Sequence, residues 1–286
     1  MENVSTVVPT SNGGFALDYN NVLWHWHGEV TIWNEDRVIP ARLSPEPVLE
    51  NVATISNNGS FAITTDGRAY TLGWLEPAIA INGVRYATSL GGANFAITTD
   101  NHLVAWGRNR LPDHWRSAPL LGDGTTIYRD TPVLIMENVA SITLKGNTAY
   151  AITTTGELWG WGNNGGALGS GLIGDGSIFV WDDIEEDMWD FYVHEDGFED
   201  GVIWLMEDDA GTGVRLSPVK IMENIVVVAP TYFIFDHGWI RGFRTFALTT
   251  TGEIWAWGQN DTFWDDVCFV GDGTGEDRLY PVKITG

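Results

Sequence analysis

The sequence predicts an all-β fold built from repeated units of four strands, and three observations support this prediction. Two short apolar runs joined by a polar turn, spelled YAITTTGELWGWG from Tyr150 to Gly162, return as FALTTTGEIWAWG from Phe246 to Gly258. The runs are apolar at successive positions, which is typical of a β-hairpin buried on both faces. A Gly-Asp-Gly turn and a strand beginning with Pro-Val usually follow. Such self-similarity indicates a repeat architecture of stacked sheets.

Weaker copies of the hairpin phrase extend the repeat towards the N-terminus, beginning at Phe15, Phe61 and Phe95. The interval from Tyr150 to the last copy is about twice as long as the others. Within it, FYVHEDGFEDGVIWLM has the outline of a degraded hairpin phrase. We therefore favour six units over five, with residues 177–216 as either a degraded blade or an acidic insertion.

We expect a single domain, residues 1–286, with units at 1–49, 50–81, 82–135, 136–176, 177–221 and 222–286. Four short strands per unit, joined by tight turns, are typical of a propeller blade. The chain opens on MENV and closes on PVKITG, and these pieces are consecutive inside it, as PVKIMENI. We expect the C-terminal strand to pair with the first unit and close the ring, which leaves no open sheet edge there. An excerpt of a longer array, cut at a repeat boundary, is the alternative.

The charge balance excludes several classes of partner. Thirty-eight Asp and Glu against 15 Lys and Arg give a formal net charge of −23. Such an acidic surface disfavours binding to nucleic acid or to anionic membranes. No apolar stretch approaches the ~18 residues of a membrane span, and no export signal is visible. We expect a cytoplasmic protein if the chain is complete, or a secreted or surface module if it is an excerpt.

The paired phrases resemble the RCC1 repeat (regulator of chromosome condensation). The resemblance rests on WG-ended strands such as AITTTGELWGWGNN, on the GDG turns at Gly122, Gly174 and Gly271, and on the strands that begin with Pro-Val. It covers nearly the whole chain and implies a β-propeller of four-stranded blades, with five to seven blades and six favoured by the spacing. In this family the propeller is commonly seven-bladed and is a rigid platform for protein partners.

We therefore expect a monomeric, non-catalytic interaction platform for a protein partner, with a basic partner as one option, and no cofactor. The alternative is a carbohydrate-binding surface module, because exposed Trp beside Asp and Asn suits sugars. A third reading, nucleotide exchange on a small GTPase, comes only from the resemblance, and no exchange-loop motif is present. Patterns typical of hydrolases, zinc peptidases and nucleotide-binding loops are missing, and Cys268 has no recognisable base, so we predict no catalytic residues.

The candidate partner-binding residues lie in the acidic segment from Trp181 to Asp209. Aromatic side chains are interleaved there with Asp and Glu, and aromatic residues are enriched at interfaces. The candidates are Trp181, Trp189, Tyr192, Phe198 and Trp204. A solvated acidic hairpin is the alternative. Calcium binding is a third reading, and the segment lacks the calcium-loop pattern.

His25 and His27 are placed on one face of a strand, where metal ligands can sit. The equivalent positions in other units hold Gly160 and Gly162, or Ala256 and Gly258, so the two His can equally be packing residues of a divergent blade. Spacing assigns no further ligand to them, and we predict no metal site.

Overall fold

The computed structural model describes residues 2–32, 37–73, 77–109, 120–146, 148–163, 214–234, 240–260, 262–263, 266–267 and 270–285. All regular structure in these ranges is β-strand, and the main strands form five four-stranded sheets. The prediction of an all-β fold made of four-stranded blades is confirmed. We number the sheets blade 1 to blade 5 in chain order.

The chain divides into two compact units, and the first holds residues 1–109 and 127–140. Three blades lie in this first unit. Blade 1 contains β1 (Val4–Thr10), β2 (Gly13–Asp18), β3 (Leu23–His27) and β6 (Arg42–Leu49), with a small hairpin of β4 (Val30–Ile32) and β5 (Arg37–Ile39) between the last two. Blade 2 contains β7 (Val52–Ile55), β8 (Phe61–Thr64), β9 (Arg68–Thr71) and β10 (Ala78–Asn82). Blade 3 contains β11 (Val84–Leu90), β12 (Ala93–Thr98), β13 (Leu103–Gly107) and β14 (Arg129–Met136).

The second unit holds residues 110–126 and 141–286, and contains the other two blades except for the first two residues of blade 4. Blade 4 consists of β15 (Val139–Lys145), β16 (Thr148–Thr153), β17 (Leu158–Asn163) and β18 (Val214–Met222). Blade 5 consists of β19 (Ile225–Ile234), β20 (Ile240–Thr249), β21 (Ile254–Gly258) and β24 (Arg278–Lys283). The short strands β22 (Thr262–Phe263) and β23 (Asp266–Val267) form a separate pair.

The expected pairing of the C-terminal strand with blade 1 is not detected. Lys283 of β24 pairs with Trp255 of β21, so the last strand belongs to blade 5. Blade 1 has its own fourth strand, β6, whose Glu46 pairs with His25. The spelling PVLENV at the end of β6 matches PVKIMENI, and this similarity was the signal that would have identified the strand.

The strand predicted to end a unit at 177–221 also has a different place. Val219 of β18 pairs with Gly160 of β17, so this strand completes blade 4 and is not part of a separate blade. The described residues therefore form five blades. Residues 164–213, including the degraded hairpin phrase, lie outside them, and the predictions of a single domain and of its unit boundaries stay predictions.

The core lies between neighbouring blades. In the first unit, Leu17 and Leu23 of blade 1 pack in one buried cluster with Val52 of blade 2. The next cluster joins the hairpin of blade 2 to β11 of blade 3, and a third joins the hairpin of blade 4 to β19 of blade 5. Because both faces of each hairpin are apolar, each blade needs a neighbour to bury them, as stacked repeats do.

Trp161 and Trp257 occupy equivalent positions in blades 4 and 5, and both are fully buried. The indole Nε1–H of Trp161 donates a hydrogen bond of 2.9 Å to the carbonyl oxygen of Leu120. The residues around Leu120 belong to the Gly-Asp-Gly segment that connects β13 to β14 in the sequence. Trp161 thus attaches this segment to the core of the second unit.

We predict that Trp161→Ala lowers the free energy of unfolding by about 3–5 kcal/mol, because it leaves a large cavity and an unpaired carbonyl. Trp161→Phe keeps most of the ring but lacks the donor, so it should cost clearly less. Urea denaturation of both variants measures the difference. A folded Trp161→Ala protein of wild-type stability would show that this side chain is not a core residue.

Candidate functional site

The five aromatic residues predicted to bind a partner lie outside the described residues. They are Trp181, Trp189, Tyr192, Phe198 and Trp204. Their role stays a prediction, and the candidate site is therefore sought on the blades.

His25 and His27 do share one face of β3, as predicted, and both are buried. The ring of Phe15 stacks on His25 with centroids 4.2 Å apart, and the two imidazoles are 4.9 Å apart. Nδ1 of His27 lies 2.7 Å from the carbonyl oxygen of Gly28. Within the described part of the chain, no group of three His, Cys, Asp or Glu side chains is placed to hold a metal ion. Blades 3 to 5 have the smaller residues Gly or Ala at these positions, so the two imidazoles act as larger packing residues in blade 1.

Burial controls the protonation of this pair. Desolvation, with smaller contributions from the charges of His27 and Arg42, lowers the pKa of His25 to about 4. His25 is therefore neutral in the folded protein near neutral pH. It is a packing residue whose protonation opposes folding.

The polar turn of each hairpin is held by one side chain at the end of its second strand. In blades 4 and 5, the hydroxyls of Thr153 and Thr249 accept hydrogen bonds of 3.0 and 2.9 Å from the amides four residues later. In blade 1, Asp18 accepts the equivalent bond from the amide of Val22 at 3.0 Å. The repeated Thr-Thr spelling thus has a structural cause, since short polar side chains favour such turns.

These turns also connect each blade to the next. The third turn residue after the capping side chain has a positive φ, as at Asn21, Gly67 and Gly156. The carbonyl oxygen of Gly156 accepts a hydrogen bond of 2.8 Å from the amide of Ile225, the first residue of blade 5. Asn21 and Gly67 accept the same bond from the first strand residues of blades 2 and 3. Gly and Asn adopt this conformation at low cost, which explains why each blade has one or the other at this position.

We name this region of the first unit the turn edge and define it as the hairpin turns of blades 1 to 3 with the one or two residues that precede the first strands of blades 1 to 4. Five exposed acidic residues lie on it. They are Glu2, Glu50, Asp66, Asp100 and Glu137. Each is within two residues of the backbone bonds that join the turns to the strands. Tyr19, in the first of these turns, is 74% exposed.

Two Arg residues beside the turn edge, Arg68 of β9 and Arg85 of β11, are already engaged. Arg68 pairs with Asp66 at 3.1 Å. Arg85 donates to the side chain of Asn101 and to the carbonyl oxygens of Val139 and Ala140 at 2.9–3.1 Å. Glu50, Asp100 and Glu137 have no cation among the described ion pairs. The turn edge therefore presents an excess of negative charge to solvent.

The corresponding acidic residues of the second unit are paired with lysines. Lys220 contacts Glu157 at 2.5 Å and Glu223 at 2.7 Å, and Lys283 contacts Glu253 at 2.5 Å. The hydrogen bond from Lys220 is the main cause that lowers the pKa of Glu157. These exposed pairs contribute little stability, but they neutralise the acids.

The Gly-Asp-Gly turn of blade 5 encloses a buried polar cluster that sequence reasoning missed. The side-chain amide of Asn260, which is fully buried, donates to Asp272 at 3.0 Å and to the carbonyl oxygen of Glu276 at 3.0 Å. Arg278 forms an ion pair with Asp272. The same order of Asn, Gly-Asp-Gly and Arg, again with the Arg six residues after the Asp, occurs at Asn109, Asp123 and Arg129, and this repetition was the available signal. The cluster is structural, because it fixes the loop between the third and fourth strands.

The electrostatics of this cluster favour the ionised carboxylate. Burial would raise the pKa of Asp272, but the hydrogen bonds from Arg278, Thr274 and Asn260 outweigh it and lower the pKa to about 2.

The described residues contain no helix able to cross a membrane.

We predict that His25 makes the protein acid-sensitive. The unfolded state binds more protons than the folded state between the model-peptide value of 6.5 and about 4, so stability should fall as pH falls through this range. The loss should reach about 3 kcal/mol, at 1.36 kcal/mol for each pH unit. In His25→Ala, which carries the residue found in blades 3 and 5, this slope should be much smaller. Equal slopes in urea denaturation from pH 7 to 4 would contradict the assignment.

We predict that Asp272 changes the stability of the protein at a lower pH than His25 does. Its lowered pKa contributes stability that is present above about pH 4 and is lost as pH falls towards about 2. Asp272→Asn should therefore be less stable than wild type by about 2 kcal/mol at pH 7. The difference in free energy of unfolding between wild type and Asp272→Asn should become smaller below pH 4. Asp130→Asn, an exposed acid in β14, is the control and should remain close to wild type. A constant gap at all pH values would refute the ionic role.

Comparison with solved structures identifies the fold. The structure of yeast RCC1 (Prp20) bound to Kap60 matches with a TM-score of 0.60 and 17% identity, over 99% of this chain and 61% of that chain. The structure of Prp20p from Saccharomyces cerevisiae, described with its binding properties to Gsp1p and histones, matches with a TM-score of 0.57 and 18% identity, over 99% and 63%. The chain thus spans a little over three fifths of the length of these proteins. A scan against protein-family models and a search of curated proteins returned no match. At such identities the likeness shows the fold alone, and the chain has an RCC1-like β-propeller fold.

Proposed function

We propose that the chain is a non-catalytic binding platform that takes a basic protein partner on the turn edge of its first unit. The observation that supports this proposal is the position of the charge. Glu50, Asp100 and Glu137 are exposed at the turns or strand starts of three successive blades, while the Arg residues nearby are engaged within the protein.

The rigidity of the turn edge strengthens the proposal. The carbonyl oxygens of Asn3, Asn51 and Gly83 accept hydrogen bonds from the hairpin turn of their own blade. Those of Asn21 and Gly67, in the turns, accept hydrogen bonds from the first strand of the next blade. The acids are therefore spaced by the backbone and not by flexible loops. Acidic groups at fixed spacing favour recognition of Lys and Arg on a partner and raise the rate of association.

Exposed Tyr19 offers an aromatic contact at one end of the turn edge. Tyr is enriched at protein interfaces because its ring supplies apolar area and its hydroxyl a hydrogen bond. The acidic segment with Trp181 and Trp204 is proposed as a second contact of the same kind, on the evidence of its composition. Yeast RCC1, which has this fold, was crystallised with a protein partner, Kap60.

The carbohydrate alternative receives less support from the blades. Trp24, Trp26, Trp106, Trp159 and Trp255 are half-buried, and the other Trp residues of the described ranges are fully buried, so none offers an open face to a sugar. A glycan array tests this alternative directly. Nucleotide exchange has no supporting observation beyond the fold, and we do not propose it.

The test uses a peptide rich in Lys and Arg as the probe and compares two variants of equal charge. The first neutralises the turn edge with Glu50→Gln, Asp100→Asn and Glu137→Gln. The second removes the same charge elsewhere in the first unit with Glu29→Gln, Glu46→Gln and Asp130→Asn. We expect the first variant to bind about tenfold more weakly than the second at low salt, because these acids would contact the probe directly.

Salt dependence provides the second measurement. Binding of wild type should weaken steeply as salt rises, since exposed charges are screened over about 8–10 Å. Equal binding by the two variants would show that only net charge attracts the probe, and the turn edge would not be the site. No binding by wild type at low salt would overturn the proposal.

A further inference from the structure

Blades 4 and 5 each carry a lysine on the fourth strand that pairs with acidic residues of its own blade. The ammonium group of Lys220 lies 2.5 Å from Glu157, which follows the hairpin turn, and 2.7 Å from Glu223, which follows the fourth strand. In blade 5, Lys283 lies 2.5 Å from Glu253, the equivalent of Glu157. All these residues belong to the second unit. The repeat thus has a defined position for a lysine side chain beside an acid.

Blade 3 keeps an acid at this place but lacks the lysine. Leu134 pairs with the second residue of the third strand, as Lys220 does in blade 4, so the two positions are equivalent. Glu137 follows Leu134 by three residues, and Glu223 follows the lysine of blade 4 by the same interval. Leu134 is 56% exposed, and Glu137 is exposed as well. Glu137 is in none of the ion pairs of the described residues.

The surroundings of Leu134 are defined inside the first unit. Ala96, Val104 and Leu134 form one row across the strands of blade 3. Residues that pair across antiparallel strands lie on the same face of the sheet. Ala96 and Val104 pack in the cluster that joins blade 2 to blade 3, so this row faces blade 2. Both blades and Glu137 belong to the first unit.

We propose that a lysine side chain of the basic partner occupies this position on blade 3 and pairs with Glu137, as Lys220 pairs with the acids of its own blade. The aliphatic stem of the partner's lysine packs along Leu134 and Val104, since lysine stems cover apolar surface while the charge stays in water. Half-buried His102 stands where blades 4 and 5 have their other acid, and an imidazole nitrogen can accept a hydrogen bond from the ammonium group.

The chain itself shows which group fits this position. An exposed acid alone specifies no ligand, but two blades with the same strand register hold a lysine there. In blade 3, exposed Leu134 and Glu137 leave both the apolar contact and the charged contact of a lysine available. This inference rests on the proposed function, and it adds which side chain of the partner is recognised and where.

The test compares two variants of equal charge in their binding of a Lys-rich peptide at low salt. Leu134→Lys supplies the cation from the chain itself, so the introduced side chain should fill the position and exclude the peptide's lysine. Leu43→Lys is the matched control, because Leu43 is 83% exposed on β6 and the same charge is added elsewhere in the first unit. We expect Leu134→Lys to bind about fivefold more weakly than Leu43→Lys, as for the loss of one exposed ion pair.

Glu137→Gln identifies the acid through a double-mutant cycle. Alone, it should weaken binding of the peptide about fivefold. Combined with Leu134→Lys, it should change binding little, because the introduced lysine already pairs with the carboxylate. Thermal denaturation should give Leu134→Lys a Tm close to that of wild type, since the substituted side chain is exposed.

Lys220→Leu tests the same position in reverse, in the second unit. It gives blade 4 the residue of blade 3 and leaves Glu157 and Glu223 without their lysine. It should bind the peptide about fivefold more tightly than Lys145→Leu, which removes the same charge from β15.

The outcomes separate this inference from the proposed function. Equal binding by Leu134→Lys and Leu43→Lys would overturn the lysine position and leave the turn edge as the site of the basic partner. Equal binding by Lys220→Leu and Lys145→Leu would also overturn the lysine position. Failure of wild type to bind the peptide at low salt would overturn the proposed function and this inference together.

Discussion

The packing of one blade on the next is the interaction on which the rest of this structure depends. A hairpin such as Leu17–Leu23 or Ile152–Leu158 is apolar on both faces, so no single sheet can cover it. The apolar side chains are buried only when the first strand of the following blade packs against them, as Val52 and Ile225 do. Burying such a side chain contributes about 1.5–3 kcal/mol, which is a sizeable fraction of the roughly 5–15 kcal/mol net stability of a domain. The blade is therefore the repeat of the sequence, but the interface between two blades is the unit of stability.

Turn chemistry keeps this interface in register. A capping Thr or Asp closes the hairpin, and the positive-φ residue that follows turns its carbonyl oxygen towards the next blade. A one-residue slip in either strand would move the apolar residues to the other face, so the turn and the core depend on each other. For this reason the acids of the turn edge, such as Glu50 and Asp100, occur at regular places. Their spacing is a by-product of the turn that the core requires.

Local patterns predicted the hairpins well, because a hairpin and its turn are contained in about a dozen residues. Nonlocal pairing could not be read in the same way. The strand Val214–Met222 pairs with Leu158–Asn163 across residues 164–213, and spacing alone assigned it to a separate unit. The fourth strand of blade 1 was missed because Arg42–Leu49 contains Pro45 and Pro47 and follows no Gly-Asp-Gly turn. At the candidate site, the sequence supplied the net charge and the shared face of His25 and His27. The stacking on Phe15 and the engagement of Arg85 depend on contacts that only folding creates.

Residues at equivalent positions of different blades have similar side chains but different burial, because burial depends on the surroundings as well as on the residue type. Leu248 and Ile254 have the same chemistry as Ile152 and Leu158, and any hydrophobic pattern predicts both pairs to be core. Leu248 and Ile254 are 37% and 51% exposed, whereas Ile152 and Leu158 are buried in the cluster that joins blade 4 to the first strand of blade 5. The burial of Ile152 and Leu158 therefore depends on the neighbouring strand and not on the residue type alone. The turn edge follows a different physical rule, because its exposed acids interact through charge, which salt screens, whereas the packing between blades is apolar and is not screened.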